Sequence, residues 1–554
     1  LASPADQASE LCAAGAGSLI GNATTLTTDA RLFQASYVKS TWTGNVRAFA
    51  LDANGDWATD SQWGAGGAAG KIPVAANRVI FSASSATAGV NFLWSALPEA
   101  MKARFGDETT GEATVNYLRG DDGGEQANGG TFRDRTSPLG PIVNSELAFA
   151  GVENFGYEAL ASTEGSSYAT FMQTKATRRQ LVIAAANDGM LHGFDAATGN
   201  ERFAYVPRAL VVEPISEEDP RSTLVRQTIP SFQPRYNVDG ASWVGDAFIG
   251  TGWRTVVVGT AGAGARSVFA IDITDPTSMS AGRLLFEHWD VGGSSDRNLG
   301  YAFGQPVIGR LSDGHFYAIF GNGRASEGQC PVLYLVRLGD GQVRRIPTGG
   351  RTLGSSCSGA PNGLGRPSLY DVQVPGETGH RITDFVYAGD LQGNLWRFDL
   401  RTLNTASDPP GGAAAQLLFS ARNAGGGSQP ITGTIELGTV SSGAAGNLRP
   451  VMLWFGTGRY LTSADAEDTS VQSMYGIVDR FSTGGDADTA KVVRSNLEGQ
   501  TANLTGDLAG TISGSAVDYA GGQDGWYLAP PRAGARTVGL PLIQAGRLFF
   551  ATII

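Results

Sequence analysis

Along this chain the apolar residues fall in short β-branched or aromatic blocks, each broken by a small polar turn and followed by an alternating segment. Leu181 to Ile183 leads into Asn187-Asp188-Gly189 and then a strand ending at Asp195; Phe385 to Tyr387 leads into Asp390 to Asn394 and a strand ending at Asp399. Both read as β-hairpins, with glycine supplying the positive φ that a tight connection between twisted strands requires. The pattern returns in Val256 to Asp272, in Tyr317 to Leu338 and in Leu453 to Asp479, at intervals of about 60 to 75 residues. Each interval holds one clear hairpin with room for two further strands and a loop, which predicts an all-β fold, a β-propeller of about seven blades of antiparallel strands with loop and short-helix insertions. Val46 to Asp52 reads as an early inner strand and Arg547 to Ile554 as a final one, placed to complete a blade begun near the N-terminus and so remove an open edge.

Ser95 to Phe105, with a Ser cap and an early Pro, predicts a short rim helix ending at Gly106. Val212 to Ser222 and Ala406 to Gly427 read as surface excursions between blades.

Composition supports folded repeats. There are 77 Gly in 554 residues, yet hydrophobic content is an ordinary 42%, so the glycines mark turns. Length alone suggests three or four domains, but the repeat overrides it and predicts one β-propeller domain over residues 1–554. The start at Leu1 in place of Met points to a processed protein or the C-terminal part of a longer one. No run of apolar residues is long enough for a membrane span. A net charge of -11 with only five Lys argues against nucleic acid as a partner. Of the three cysteines, Cys330 and Cys357 flank a strand and turn and could close a modest loop in an oxidising compartment, leaving Cys12 over; three reduced cysteines are the other reading.

The hairpins N-D-G-M-L-H-G-F-D-A-A-T-G (Asn187 to Gly199) and Y-A-G-D-L-Q-G-N-L-W-R-F-D-L (Tyr387 to Leu400) resemble the C-terminal β-propeller of PilY-type (PilC-like) type IV pilus tip proteins. Asn116 to Asp121, Phe132 to Arg135, Leu139 to Ser145, Phe455 to Leu461 and Gly525 to Leu528 resemble further landmarks of that family, in the same order. The resemblance implies a non-enzymatic pilus assembly and tip factor that promotes pilus display by opposing retraction and contributes to adhesion and twitching motility. It further implies a place in the periplasm or at the outer-membrane surface of a Gram-negative bacterium, at the pilus tip. Minor pilins or the tip complex are the implied partners, a host surface receptor is a further candidate, and the propeller alone is expected to be a monomer. A variable N-terminal adhesive region usually precedes such propellers.

The family's calcium loop, a D-x-[DN]-x-D-G pattern, precedes the second hairpin. Here that stretch runs from Asp371 to Asp384 and keeps Asp only at its two ends, with Glu377 as another oxygen donor; the pattern is degenerate, and an ordinary inter-strand loop is the competing reading. Asp52, Asn54, Asp56 and Asp60 fall at positions 1, 3, 5 and 9 of a calcium-type loop, but Trp57 stands where Gly belongs and no Glu follows at position 12; a solvated hairpin turn is the competing reading. Ca2+ is therefore the cofactor these two loops raise. Arg119-Gly120-Asp121 matches the tripeptide that integrins recognise, and its Arg and Asp could instead pair within the fold.

No catalytic residue is assigned. The four histidines, His192, His288, His315 and His380, lie beside no nucleophile motif, and His192 on an inner strand reads as a structural imidazole. F-D-A-A-T-G also resembles repeats of quinoprotein (PQQ-dependent) dehydrogenases, which would make the chain an enzyme, but the adjacent cysteines of those enzymes are missing. A generic surface-binding scaffold is the third reading.

Overall fold

The computed structural model describes residues 11–13, 19–21, 30–51, 56–160, 163–290, 296–357, 359–372, 380–412, 414–439, 449–481, 489–504, 510–519 and 521–553. The predicted hairpins form as Leu181–Ala186 with Met190–Asp195 and as Phe385–Asp390 with Asn394–Asp399. Gly189 at φ 98° and Gly393 at φ 79° hold their turns. Around them stand six sheets of four or six strands and a separate two-stranded hairpin among the described residues. The third sheet (Ser242–Ile249, Gly252–Thr260, Arg266–Asp272, Leu284–Asp290), the fourth (Val307–Arg310, Phe316–Gly321, Val332–Arg337, Val343–Pro347) and the fifth (Leu364–Tyr370, Phe385–Asp390, Asn394–Asp399, Ala414–Ser420) are meanders in chain order.

The second sheet departs from the meander. Beyond Glu201–Val206 it is extended by Ile80–Ala83, which pairs parallel to it, and then by Gly89–Asn91. In the sixth sheet, Gly525–Leu528 joins Met474–Asp479, and Leu497–Leu504 adds parallel outside it.

Neighbouring sheets share one apolar core each, and this explains why inner strands are apolar at every position. Alternate residues of one strand enter opposite cores: Val257 packs toward the second sheet while Val256 and Val258 pack toward the fourth, and Tyr317 and Ile319 face the fifth sheet while Ala318 and Phe320 face the third. A strand buried on both faces reads as a continuous apolar run.

Three expectations change. The early strand read at Val46 to Asp52 forms as Thr43–Ala50, pairing with Arg31–Val38 in the first sheet, but Arg547–Phe549 does not close a blade with the N-terminal region; it pairs with Leu542–Gln544. Ala545 (φ 49°) and Gly546 (φ 72°) make a two-residue turn of positive φ that returns the strand to its immediate neighbour. Residues 406–427 are not wholly a surface excursion, since Leu417, Leu418 and Phe419 are buried in the outer strand of the fifth sheet. The helical segment near Pro98 is short, a 3-10 turn at Trp94–Ala96 and a helix at Glu99–Lys102, whereas two longer helices, Glu108–Leu118 and Thr163–Thr177, pack on the sheets. Their many Thr, Ser and Gly are poor helix formers, and tertiary packing of Val115, Tyr117 and Tyr168 supplies the stability. Among the described residues no helix is long and apolar enough to cross a membrane.

Candidate functional site: the axial channel and its surrounding loops

The second strand of each repeat ends on a small residue followed by a polar one: Asn187, Thr260, Asn322, Asp390 and Thr457. All five are at most 1% exposed. Each ties its own hairpin to the segment that enters the next sheet. Asn187 Oδ1 accepts from the Asn237 amide at 2.8 Å, Thr260 Oγ1 donates to the Ala302 carbonyl at 3.4 Å, and Asn322 Oδ1 accepts from the Leu364 amide at 3.0 Å. The Asp390 carbonyl accepts from the Ile431 amide at 3.0 Å, and the Thr457 carbonyl accepts from the Thr537 amide at 3.0 Å. Buried polar groups must be paired, and pairing them between repeats sets the spacing of the sheets around the axis. The recurring small-polar dipeptide carries that signal in the sequence, outside the motifs singled out above.

The entering segments line a channel of about 890 Å³, with Asn144 and Glu146, Asp239, Tyr301 and Arg366 contributed by successive sheets. Burial pulls the Arg366 guanidinium below its ordinary range, against the opposing charges of Glu146 and Glu436, and burial pushes the Glu146 carboxyl up. Arg366 Nε has no hydrogen-bond partner.

The sequence candidates fall in separate places. Asp52 and Asn54 lie outside the described residues, and Asp56 and Asp60 are exposed. Asp371 and Asp384 do come together, with His380 between them, at the mouth of the hairpin that joins Leu364–Tyr370 to Phe385–Asp390; Glu377 lies outside the described residues. His192 is fully buried between Glu201 and Asp188, with Nδ1 2.8 Å from Glu201 Oε1 and Nε2 3.1 Å from Asp188 Oδ2. His288 pairs with Asp296 at 2.8 Å, and His315 is exposed in a turn.

The tripeptide Arg119-Gly120-Asp121 does not present its arginine. Arg119 follows the helix Glu108–Leu118, is 3% exposed, and donates to the Phe92, Ala75 and Arg78 carbonyls, while Asp121 faces outward and accepts from the Gly123 amide. Neither reading of the pair holds, because the two side chains serve different partners. We expect Asp121→Ala to leave both the fold and binding to host cells unchanged, while Arg119→Ala lowers the unfolding free energy by about 2–3 kcal/mol, read as a fall in denaturation midpoint, by orphaning buried carbonyls. A stable Arg119→Ala protein would refute this assignment.

Cys330 and Cys357 form a disulfide with a Cα separation of 5.3 Å, closing a loop over 27 positions. Replacing both with Ser should cost about 2–4 kcal/mol, read as a fall in denaturation midpoint that reductant no longer deepens. Equal stability with and without reductant in the unaltered protein would count against it. Cys12 belongs to the strand Leu11–Ala13 of the first sheet.

Radially arranged antiparallel sheets, shared inter-sheet cores and an axial channel define a β-propeller. The family model "PilY1 beta-propeller domain" matches residues 139–511, and the chain belongs to that family. It is 34% identical over 544 residues to the type IV pilus biogenesis factor PilY1 of Pseudomonas aeruginosa (strain PAK), covering 90% of this chain and 44% of that protein. It is 32% identical over 569 residues to a type IV pilus biogenesis factor PilY1 homolog of Xylella fastidiosa (strain Temecula1 / ATCC 700964), covering 93% of this chain and 36% of that protein. The crystal structure of the P. aeruginosa PilY1 C-terminal domain superposes with a TM-score of 0.58 at 31% identity, covering 73% of this chain and 83% of that one. The chain thus spans less than half the length of these curated relatives.

Proposed function

We propose that this chain is the propeller portion of a type IV pilus assembly and tip factor that keeps pili displayed by opposing their retraction, and through them supports adhesion and twitching motility. The observation that carries this reading is the similarity across 90% of the chain to a type IV pilus biogenesis factor. The Cys330–Cys357 disulfide supports a periplasmic or surface location, since such bonds persist in oxidising compartments. Minor pilins are the expected partners and a binding role is expected in place of catalysis.

The test is surface pilus number in a strain lacking the protein, with and without the retraction motor. Loss of pili that is reversed when the motor is also removed is the expected result. Unchanged pilus number in both strains would end the proposal and bring forward an assay for quinone- and calcium-dependent alcohol or sugar oxidation. For the calcium candidate at Asp52, Asn54, Asp56 and Asp60, the expected result is calcium-dependent thermal stabilisation that Asp56→Ala abolishes; identical melting with calcium and with chelator removes it.

A further inference from the structure

The group formed by Asp371, His380 and Asp384 has a geometry that calcium does not explain. One carboxylate oxygen of each Asp and one ring nitrogen of His380 lie within 4.8 Å of one another. His380 Nδ1 stands 2.8 Å from Asp371 Oδ1, the distance of a strong ion pair, yet neither atom makes a correctly directed hydrogen bond and both are shut off from solvent. A proton shared between them would need its donor aimed at its acceptor. Two lone pairs that close and not aimed at each other are the arrangement of two ligands on one cation, where bonds of about 2.0–2.1 Å set neighbouring ligand atoms roughly 2.9–3.4 Å apart.

The surrounding backbone holds the carboxylates in place. The Arg381 amide donates to Asp371 Oδ2 at 2.7 Å and the Val372 amide donates to Asp384 Oδ2 at 2.8 Å. Hydrogen bonds of this kind orient metal-ligating carboxylates and are themselves part of a metal site.

Calcium takes six to eight oxygen ligands, and an imidazole nitrogen is a poor substitute for one of them. Imidazole with carboxylates suits zinc and its neighbours among the divalent transition ions, which accept three protein ligands and leave a position open. We propose that Asp371, His380 and Asp384 form a three-ligand site for a zinc-type divalent transition ion, in place of the oxygen-only calcium loop that the family resemblance implies here. The ion would join the end of strand Leu364–Tyr370 to the start of Phe385–Asp390, clamping the mouth of this hairpin. The assignment is independent of the pilus reading, because it rests on the ligand geometry alone.

The experiment is calorimetric titration of the chelator-treated 554-residue chain with Zn2+, Mn2+ and Ca2+, with thermal melting in parallel, on the unaltered protein and on His380→Ala, Asp371→Asn and His380→Asp. We expect one Zn2+ per chain with a raised melting midpoint, affinity reduced about tenfold or more in His380→Ala and Asp371→Asn, and no response to Ca2+ at this site. His380→Asp should move the preference from Zn2+ toward Ca2+. Matching metal-free melts for all four proteins would show that each is folded. Zn2+ binding unchanged in His380→Ala, or a Ca2+ response lost in Asp371→Asn with no specific Zn2+ binding, would overturn the proposal.

Discussion

Asp246→Ala is expected to cost about 3–5 kcal/mol of stability, because it strands a buried cation. Asp246 is fully buried; its Oδ2 accepts from Lys175 Nζ at 2.7 Å and from Tyr168 Oη at 2.8 Å, and its Oδ1 from Thr255 Oγ1 at 2.6 Å. Lys175 also donates to the Glu153 carbonyl and sits 4.8 Å from the centre of the Phe155 ring, with its side chain 1% exposed. These contacts fasten the helix Thr163–Thr177 to the strand Ser242–Ile249. Burial already pulls the Lys175 ammonium below its ordinary range, with Asp246 opposing that pull, so losing the carboxylate favours a neutral or solvated lysine and detaches the helix. Replacing the pair together, as Lys175→Met with Asp246→Leu, should recover much of the loss, since no charge is then left buried. Denaturant midpoints of the three proteins check this, and a loss below about 1 kcal/mol for the single substitution would show that Lys175 finds another partner.

Glu201→Ala is expected to cost a similar amount, about 3–5 kcal/mol, and to change the pH dependence of stability. Glu201 accepts from Arg78 Nε and Nη2, both at 2.7 Å, and meets His192; its removal leaves two buried cations without their shared carboxylate. Burial alone would lower the His192 pKa, but the Asp188 charge and the bonds to Asp188 and Glu201 prevail and raise it from 6.5 to about 9. Burial would likewise raise Glu201, but Arg78 and His192 prevail and hold it at about 2, against an ordinary 4.5. The raised histidine stabilises fully below pH 6.5, and its contribution is lost as the pH climbs through about 9. The depressed carboxyl stabilises fully above pH 4.5 and is lost as the pH falls toward about 2. Together they place the best stability between pH 4.5 and 6.5, with a decline of about 3 kcal/mol toward pH 9 from the histidine. His192→Gln should flatten that alkaline slope. Denaturation midpoints measured across the pH range decide it, and an unchanged slope in His192→Gln would assign the pH dependence to other groups.

The network also explains the fate of Arg119. Arg78 Nη1 donates to the Arg119 carbonyl while Arg119 Nη2 donates back to the Arg78 carbonyl, so the tripeptide arginine is part of the same buried cluster. A three-letter match holds no information about which way a helix end turns, and that is why the sequence alone left two readings of it.

Hairpin strands, glycine turns and the repeat were determined by the sequence itself, because each rests on residues close together in the chain: Asn187-Asp188-Gly189 makes its hairpin wherever the blade lies. The five buried residues from Asn187 to Thr457 were present as a recurring dipeptide, but their role needs a partner some 40 to 80 positions away in the next repeat. Closure by the C-terminal strand would need a pairing between the two chain ends, which no local pattern fixes, and the Ala545-Gly546 turn gives Arg547–Phe549 the nearer partner Leu542–Gln544. Only the tertiary structure could join Asp371 to His380 and Asp384, or Lys175 to Asp246 across 71 positions. Burial removes water as the competing partner, and which charged groups must then satisfy one another is decided by the packing of distant strands, not by their order in the chain.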